Sequence, residues 1–177
     1  PLPAQELPAI TRCIILKENK GLANARNILI NESKGDFIIF LDADAILQVG
    51  SLASIVHYWD GKSLIAGTES HSPETGLVNK FRRFFWVQTQ GYERLAKASY
   101  FFGLAFAAPK EIFSKVGEFD VKMSNYGEDI EYSLRLINKG YNIQYEPNFR
   151  VFHHRKDSFI SVIKLTYNHS KSQILAH

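Results

Sequence analysis

A single cysteine, Cys13, stands among 177 residues, so no internal disulfide can form. Its apolar neighbours Ile14, Ile15 and Leu16 place it in a short buried strand in a reducing compartment, with no partner for redox chemistry. Long hydrophobic runs are also missing: nothing reaches the roughly 18 apolar residues that span a bilayer. The first residues lack the basic, apolar and small-residue sections of a secretory signal, so the expected location is cytoplasmic. Charge of one sign is scarce. Twenty-one Lys and Arg against 18 Asp and Glu leave a net +3, a mild excess that excludes a dedicated nucleic-acid surface. Repeats and low-complexity tracts are absent. Proline is sparse, yet three of the six stand at Pro1, Pro3 and Pro8, and residues 1–11 read as an irregular leader or cut end.

What is present is enough apolar material, 45% of residues, for one core, and residues 12–177 read as one domain. Short apolar runs alternate with helical patterns, which predicts an α/β layered fold. Strands are expected at 13–16, 36–41, 64–67, 100–107, 143–145 and 150–152, and helices at 22–31, 51–59 (with Ser51 as N-cap), 110–116, 129–138 and from 159 onward. The unbroken run at 36–41 predicts a central strand covered on both faces. Residues 68–76 read as a polar loop. In the last helix Phe159, Val162, Ile163 and Tyr167 share a face expected to dock.

The run at 36–41 ends in Asp42-Ala43-Asp44. Two carboxylates at the end of a buried strand are costly unless a positive charge sits with them, and a divalent cation is one answer. Hard oxygen ligands suit magnesium or manganese, which keep positions open for phosphate oxygens. The bland alternative is that both acids cap a turn. Gly127-Glu128-Asp129-Ile130-Glu131 opens a helix with three acids, which the helix dipole alone would favour. In Val151-Phe152-His153-His154 neighbouring side chains point to opposite sides, so one histidine at most faces a given site.

Together, Glu18-Asn19-Lys20-Gly21-Leu22-Ala23-Asn24-Ala25-Arg26-Asn27 and Gly35-Asp36-Phe37-Ile38-Ile39-Phe40-Leu41-Asp42-Ala43-Asp44 resemble the centre of family 2 glycosyltransferases with the GT-A fold. The 127–136 segment, with Gly140-Tyr141 and Tyr145-Glu146-Pro147 after it, resembles the family's acidic motif and its downstream flank. The resemblance covers about residues 12–155 and implies a GT-A-like, Rossmann-like mixed sheet with helices on both faces. No counterpart of the family's first nucleotide-binding strands precedes Cys13.

The resemblance also implies roles. Asp44 and His153 hold a Mn2+ or Mg2+ ion, while Asp42 contacts the donor ribose or the metal shell. Arg26 helps hold the nucleotide, the alternative being a solvated helix arginine. Asp129 is the general base and Glu128 positions the acceptor or that base. Gly103 lies in a stretch, 102–107, that resembles a substrate-contacting strand, although Leu104 and Ala105 replace a glycine and an asparagine of the usual pattern. Glu118 replaces a glycine in the element at 117–120, a turn that places the acidic helix.

The implied function is inverting, metal-dependent transfer of a sugar from a nucleotide-diphosphate sugar, a UDP-sugar first among them, to an acceptor hydroxyl in cell-surface polysaccharide or glycolipid synthesis. Implied partners are that donor and a saccharide or lipid-linked acceptor. Phe81, Phe84, Phe85 and Trp86 beside Lys80, Arg82 and Arg83 suit peripheral contact with the inner face of a membrane, although core packing explains them equally. The competing readings are a non-catalytic nucleotide-sugar-binding or interaction module, and a sugar nucleotidyltransferase. The latter normally carries a glycine-rich basic loop near its start, which is not seen.

Overall fold

The computed structural model describes residues 12–70, 76–85, 87–123, 126–153 and 158–175. The expectations for the leader at 1–11, the loop interior, Trp86 and His154 lie outside them. Eleven elements run in chain order: α1 (Leu22–Glu32), β1 (Phe37–Leu41), β2 (Ala45–Leu47), α2 (Ser51–Tyr58), β3 (Leu64–Ser70), α3 (Leu77–Phe85), β4 (Ala105–Pro109), α4 (Lys110–Val116), α5 (Glu128–Asn138), β5 (Ile143–His153) and α6 (Phe159–Leu175). The five strands form one mixed sheet in the order β1-β4-β3-β5-β2. Only β3 and β5 pair in parallel; the other pairings are antiparallel.

Strand alternation sorts the core into two layers. Leu64, Ala66, Phe106, Ala108, Ile143 and Tyr145 face Ala23 and Ile30 of α1, Ile112, Phe113 and Val116 of α4, and Tyr132 and Leu136 of α5. Ile65, Ala105, Ala107, Phe149 and Val151 face the other way, against Ile55 of α2. Helices thus cover both faces of strands whose central stretches, 64–66 in β3 and 105–108 in β4, are apolar at consecutive positions. The buried face of α1 is Ala23, Arg26, Asn27 and Ile30, which stand at helical spacing. Asn27 clamps the 117–120 turn: its side-chain N–H donates to the Phe119 carbonyl at 2.9 Å, and its oxygen accepts the Phe119 N–H at 2.8 Å.

Several expectations need correcting. Residues 13–16 form no strand and Cys13 is exposed, because no neighbouring strand among the described residues offers them a ladder. β1 is an edge strand in the described sheet; α2 reaches Phe37 through Trp59 but leaves Ile39 and Leu41 partly exposed. Gly50, not Ser51, caps α2. The Ser51 hydroxyl instead donates to the Arg150 carbonyl and accepts the Arg150 N–H, tying α2 to β5. Strand β4 begins at Ala105, so residues 100–104 lie outside it, the last two of them in a turn.

The two strands expected at 143–145 and 150–152 are one strand with a bulge, since Ala66 pairs with Tyr145 but Thr68 with Arg150. Pro147 falls inside the bulge, and a Cβ on Gly67 would meet the Phe149 carbonyl at 2.6 Å, so only glycine lets the bulged chain close in. β3 runs on to Ser70, three residues beyond its expected end. Within residues 159–167 of α6, Val162 and Leu165 are buried, while Phe159, Ile163 and Tyr167 are exposed.

Candidate active site

Strands β1, β3 and β5 run in one direction, so their carboxyl ends share an edge of the sheet with the starts of β2 and β4. Open α/β sheets place ligands at such an edge. Asp42 directly succeeds the last residue of β1, and its N–H donates to the Leu104 carbonyl at 3.1 Å, extending the β1–β4 ladder by one step. The Ala45 N–H closes the tight turn by donating to the Asp42 carbonyl at 3.0 Å. Ala45 then pairs with His153 in the β2–β5 ladder, and this register sets Asp44 beside the imidazole.

The Asp44 Oδ1 to His153 Nε2 distance is 3.2 Å. That is close to the edge of an octahedron with bonds of about 2.1 Å, so the two atoms are spaced as neighbouring ligands of one magnesium-sized ion. Asp44 is about half exposed, as a group that meets a mobile substrate should be. Among the described residues no third His, Cys, Asp or Glu completes a cage. Such a donor set fits an ion that takes its remaining ligands from diphosphate and water. The structure thus brings together the two residues expected to hold the metal. His153 titrates above the ordinary histidine range: burial alone would lower it, but the Glu69 and Asp44 carboxylates outweigh burial.

Neither Glu69 nor Arg82 was expected in the site: the sequence placed Glu69 in a loop and Arg82 among the basic groups suited to a membrane, whereas Arg82 is buried. Glu69 pairs with Val151, two residues before His153 on the same face of the sheet. Its Oε1 accepts from Arg82 of α3 at 2.6 Å and its Oε2 accepts the Gln88 N–H at 3.1 Å. Burial pushes its carboxyl up, but His153 and Arg82 more than reverse this and hold it down near about 2. The available signal was the acid itself, standing at the end of the apolar run 64–67 where a buried strand had only to extend by two residues.

On the other wall Arg26 joins three separate segments. It is 4% exposed, which rules out a solvated helix arginine. Its guanidinium donates to Glu128 Oε1 at 2.5 Å and to the Gly103 carbonyl at 2.9 Å, and lies 3.5 Å from Asp42 Oδ1. A Cβ on Gly103 would sit 2.3 Å from that guanidinium, so glycine is required for the contact. The Gly103 N–H donates to Asp129 Oδ2 at 2.9 Å, and the Ile130 N–H to Oδ1 at 2.9 Å, fixing both oxygens of Asp129. Burial and then the charge of Glu128 push Asp129 up to about 6. Asp42 is raised mainly by burial, against the pull of Arg26, and it feels Asp44, His153 and Glu128, so it sits between the two clusters. Leu104 and Ala105 are buried in the core and supply no polar group.

Residues 3–117 match the family model for Glycosyl transferase family 2. The chain belongs to glycosyltransferase family 2. Among curated relatives of this family 2 chain, the poly-beta-1,6-N-acetyl-D-glucosamine synthase of Staphylococcus aureus (strain COL) is 29% identical over 150 residues, covering 75% of this chain and 34% of the relative. The probable glycosyltransferase YdaM of Bacillus subtilis (strain 168) is 29% identical over 146 residues, covering 72% and 32%. The family 2 chain thus spans about a third of the length of the curated relatives it matches. Among solved structures, GalNAc-T7 with UDP, GalNAc and Mn2+ aligns with a TM-score of 0.59 at 20% identity, covering 78% of this chain and 31% of that one. The mannosyltransferase PcManGT from Pyrobaculum calidifontis, in complex with GDP-Man and Mn2+, aligns at 0.58 and 18%, covering 85% and 41%. The fold is GT-A-like.

Proposed function

We propose that this chain carries the catalytic edge of an inverting glycosyltransferase that moves a sugar from a nucleotide-diphosphate sugar, a UDP-sugar first among them, to an acceptor hydroxyl during cell-surface polysaccharide or glycolipid synthesis. The observation that carries the reading is the 3.2 Å pairing of Asp44 with His153 in a family 2 chain whose α5 presents a second, separately held carboxylate. The two solved structures described above are complexes with Mn2+ and a nucleotide or nucleotide sugar, which supports a divalent ion and such a donor here. Asp44 and His153 would hold the ion, which when bound neutralises charge on the leaving diphosphate.

Asp129 serves as general base. With a pKa near about 6 it is ionised at neutral pH yet basic enough to accept a proton as the new bond forms. The acceptor oxygen attacks the anomeric carbon from the face opposite the diphosphate, and its proton passes to Asp129. The bond from that carbon to the diphosphate oxygen breaks, its electron pair leaving with the nucleotide, and the configuration inverts. Glu128 keeps the Asp129 pKa high, while Arg26 acts through Asp42, Gly103 and Glu128 rather than by reaching into solvent.

Peripheral membrane contact belongs to the same reading. Leu77, Phe81, Phe84 and Phe85 of α3 are exposed beside exposed Lys80, and α6 adds exposed Phe159, Ile160, Ile163 and Lys164. Aromatics among basic groups suit an anionic lipid surface carrying a lipid-linked acceptor.

The test is sugar transfer by the parent protein with Mn2+ present and after chelation. Asp44→Ala should remove the metal-dependent rate, and Asp129→Asn should lower kcat by about 10²–10⁴ while donor binding is kept. Transfer that survives Asp44→Ala and ignores chelator would defeat the assignment. Donor binding without any transfer in the unaltered protein would favour a binding module.

A further inference from the structure

His153 is gripped from two sides. Its Nε2 lies 3.2 Å from Asp44, and its Nδ1, buried and without a formed hydrogen bond, lies 3.5 Å from Glu69 Oε1. Glu69 is itself immobilised: Arg82 of α3 holds Oε1, the Gln88 N–H holds Oε2, and both charged side chains are buried. A buried ion pair built around a single ring nitrogen needs a reason, because removing two charges from water costs several kcal/mol per ion. A neutral imidazole can present a lone pair at Nε2 only when its proton is on Nδ1, and an acceptor facing Nδ1 selects that tautomer.

We infer that Glu69 is a positioning residue for the metal site: braced by Arg82, it accepts the Nδ1 proton of His153 and so keeps Nε2 free, aimed to the side where Asp44 stands. Carboxylate–histidine–metal arrangements of this kind fix ring orientation and raise ligand basicity, and losing the outer partner costs about 10–100-fold in metal affinity. The arrangement also links α3 to the metal site, since Arg82 sits on the helix whose other face carries the exposed aromatics. This inference rests on the metal reading given above.

The test uses Mn2+ alone, titrated by electron paramagnetic resonance, together with 15N NMR of the His153 ring in metal-free protein. Glu69→Leu by itself would remove one partner of the buried Arg82 charge and keep the other member of the pair, so the principal variant is Glu69→Leu/Arg82→Met, which replaces the ion pair with apolar groups. In the unaltered protein, at a pH high enough to deprotonate the imidazolium, His153 should be the Nδ1–H tautomer. In the double variant that preference should disappear and Mn2+ affinity should fall about 10–100-fold. Glu69→Gln, which keeps an acceptor oxygen, should retain the tautomer and lose less affinity. An Nε2–H tautomer in the unaltered protein, or an unchanged tautomer and affinity in the double variant, overturns the inference. Asp44→Ala separates the two readings. If it leaves Mn2+ affinity unaltered the metal assignment fails, whereas if it abolishes binding and the double variant does not weaken it, only the role of Glu69 fails.

Discussion

The Arg26 guanidinium, 5.6 and 5.5 Å from the ring centres of Phe106 and Phe119, is the single positive charge facing Glu128 and Asp42 on its wall of the cleft among the contacts described. Arg26→Met would leave Glu128 buried without its counter-charge, and breaking a buried pair from one side costs about 3–5 kcal/mol. Urea denaturation should show that loss, and Arg26→Met/Glu128→Gln should recover most of it. Tyr132 presents the opposite case. Its hydroxyl is buried among Phe101, Phe113 and Phe119 with no hydrogen-bond partner among the described residues, and burial pushes its pKa well above the tyrosine range. Tyr132→Phe removes an unpaired polar group and should raise stability by about 1 kcal/mol. A lower thermal midpoint would mean that the hydroxyl has a partner after all. Neither consequence is legible in the sequence, where Arg26 reads equally as a solvent-facing helix residue and Tyr132 only as a core aromatic.

Among the elements, α1, α4 and α5 were readable because 3.6-residue spacing and terminal glycines are local signals, and their bounds move by no more than one residue. The sheet was less so. Whether β1 lies at the centre or the edge depends on partners distant in sequence, and the β5 bulge depends on Gly67 admitting Phe149. The candidate site was legible where one motif carries it, as with the placement of Asp42, Asp44 and Asp129 at one edge of the sheet. It was hidden where a strand had to extend first, as with Glu69. Helix α3 shows the same limit: its aromatics divide from Arg82 only once the helix is placed, with Arg82 inward and Phe81, Phe84 and Phe85 outward. Each outward ring removed from a lipid interface should forfeit part of the about 1.5–3 kcal/mol that full burial of a large apolar side chain is worth. Phe81→Ser/Phe84→Ser should therefore cut co-sedimentation with anionic vesicles by about tenfold or more, while transfer to a water-soluble acceptor stays unchanged. Equal sedimentation of the two proteins would remove α3 as a lipid-contacting element.

Across the whole molecule the parallel arrangement of β1, β3 and β5 gathers two charge systems at one edge, and they titrate in opposite senses. Glu69 is held ionised far into acid by cations, whereas Asp129 keeps its proton up to about 6 because burial and Glu128 disfavour its charge. For Asp129 the folded pKa exceeds the unfolded value of about 3.9. Its contribution to stability is therefore full below about pH 4 and is lost as pH rises through about 6, so the ionised base is the less stable form. Activity runs the other way. The base works only when deprotonated, so kcat/KM should climb about tenfold per pH unit below about 6 and level off above it. Glu128→Gln removes the neighbouring negative charge while keeping an acceptor for Arg26, so the acid limb should move to lower pH with a smaller change in the plateau. A limb that stays near 6 in Glu128→Gln would mean that the charge of Glu128 does not raise the Asp129 pKa, and a limb that survives Asp129→Asn would mean that another group takes the acceptor proton.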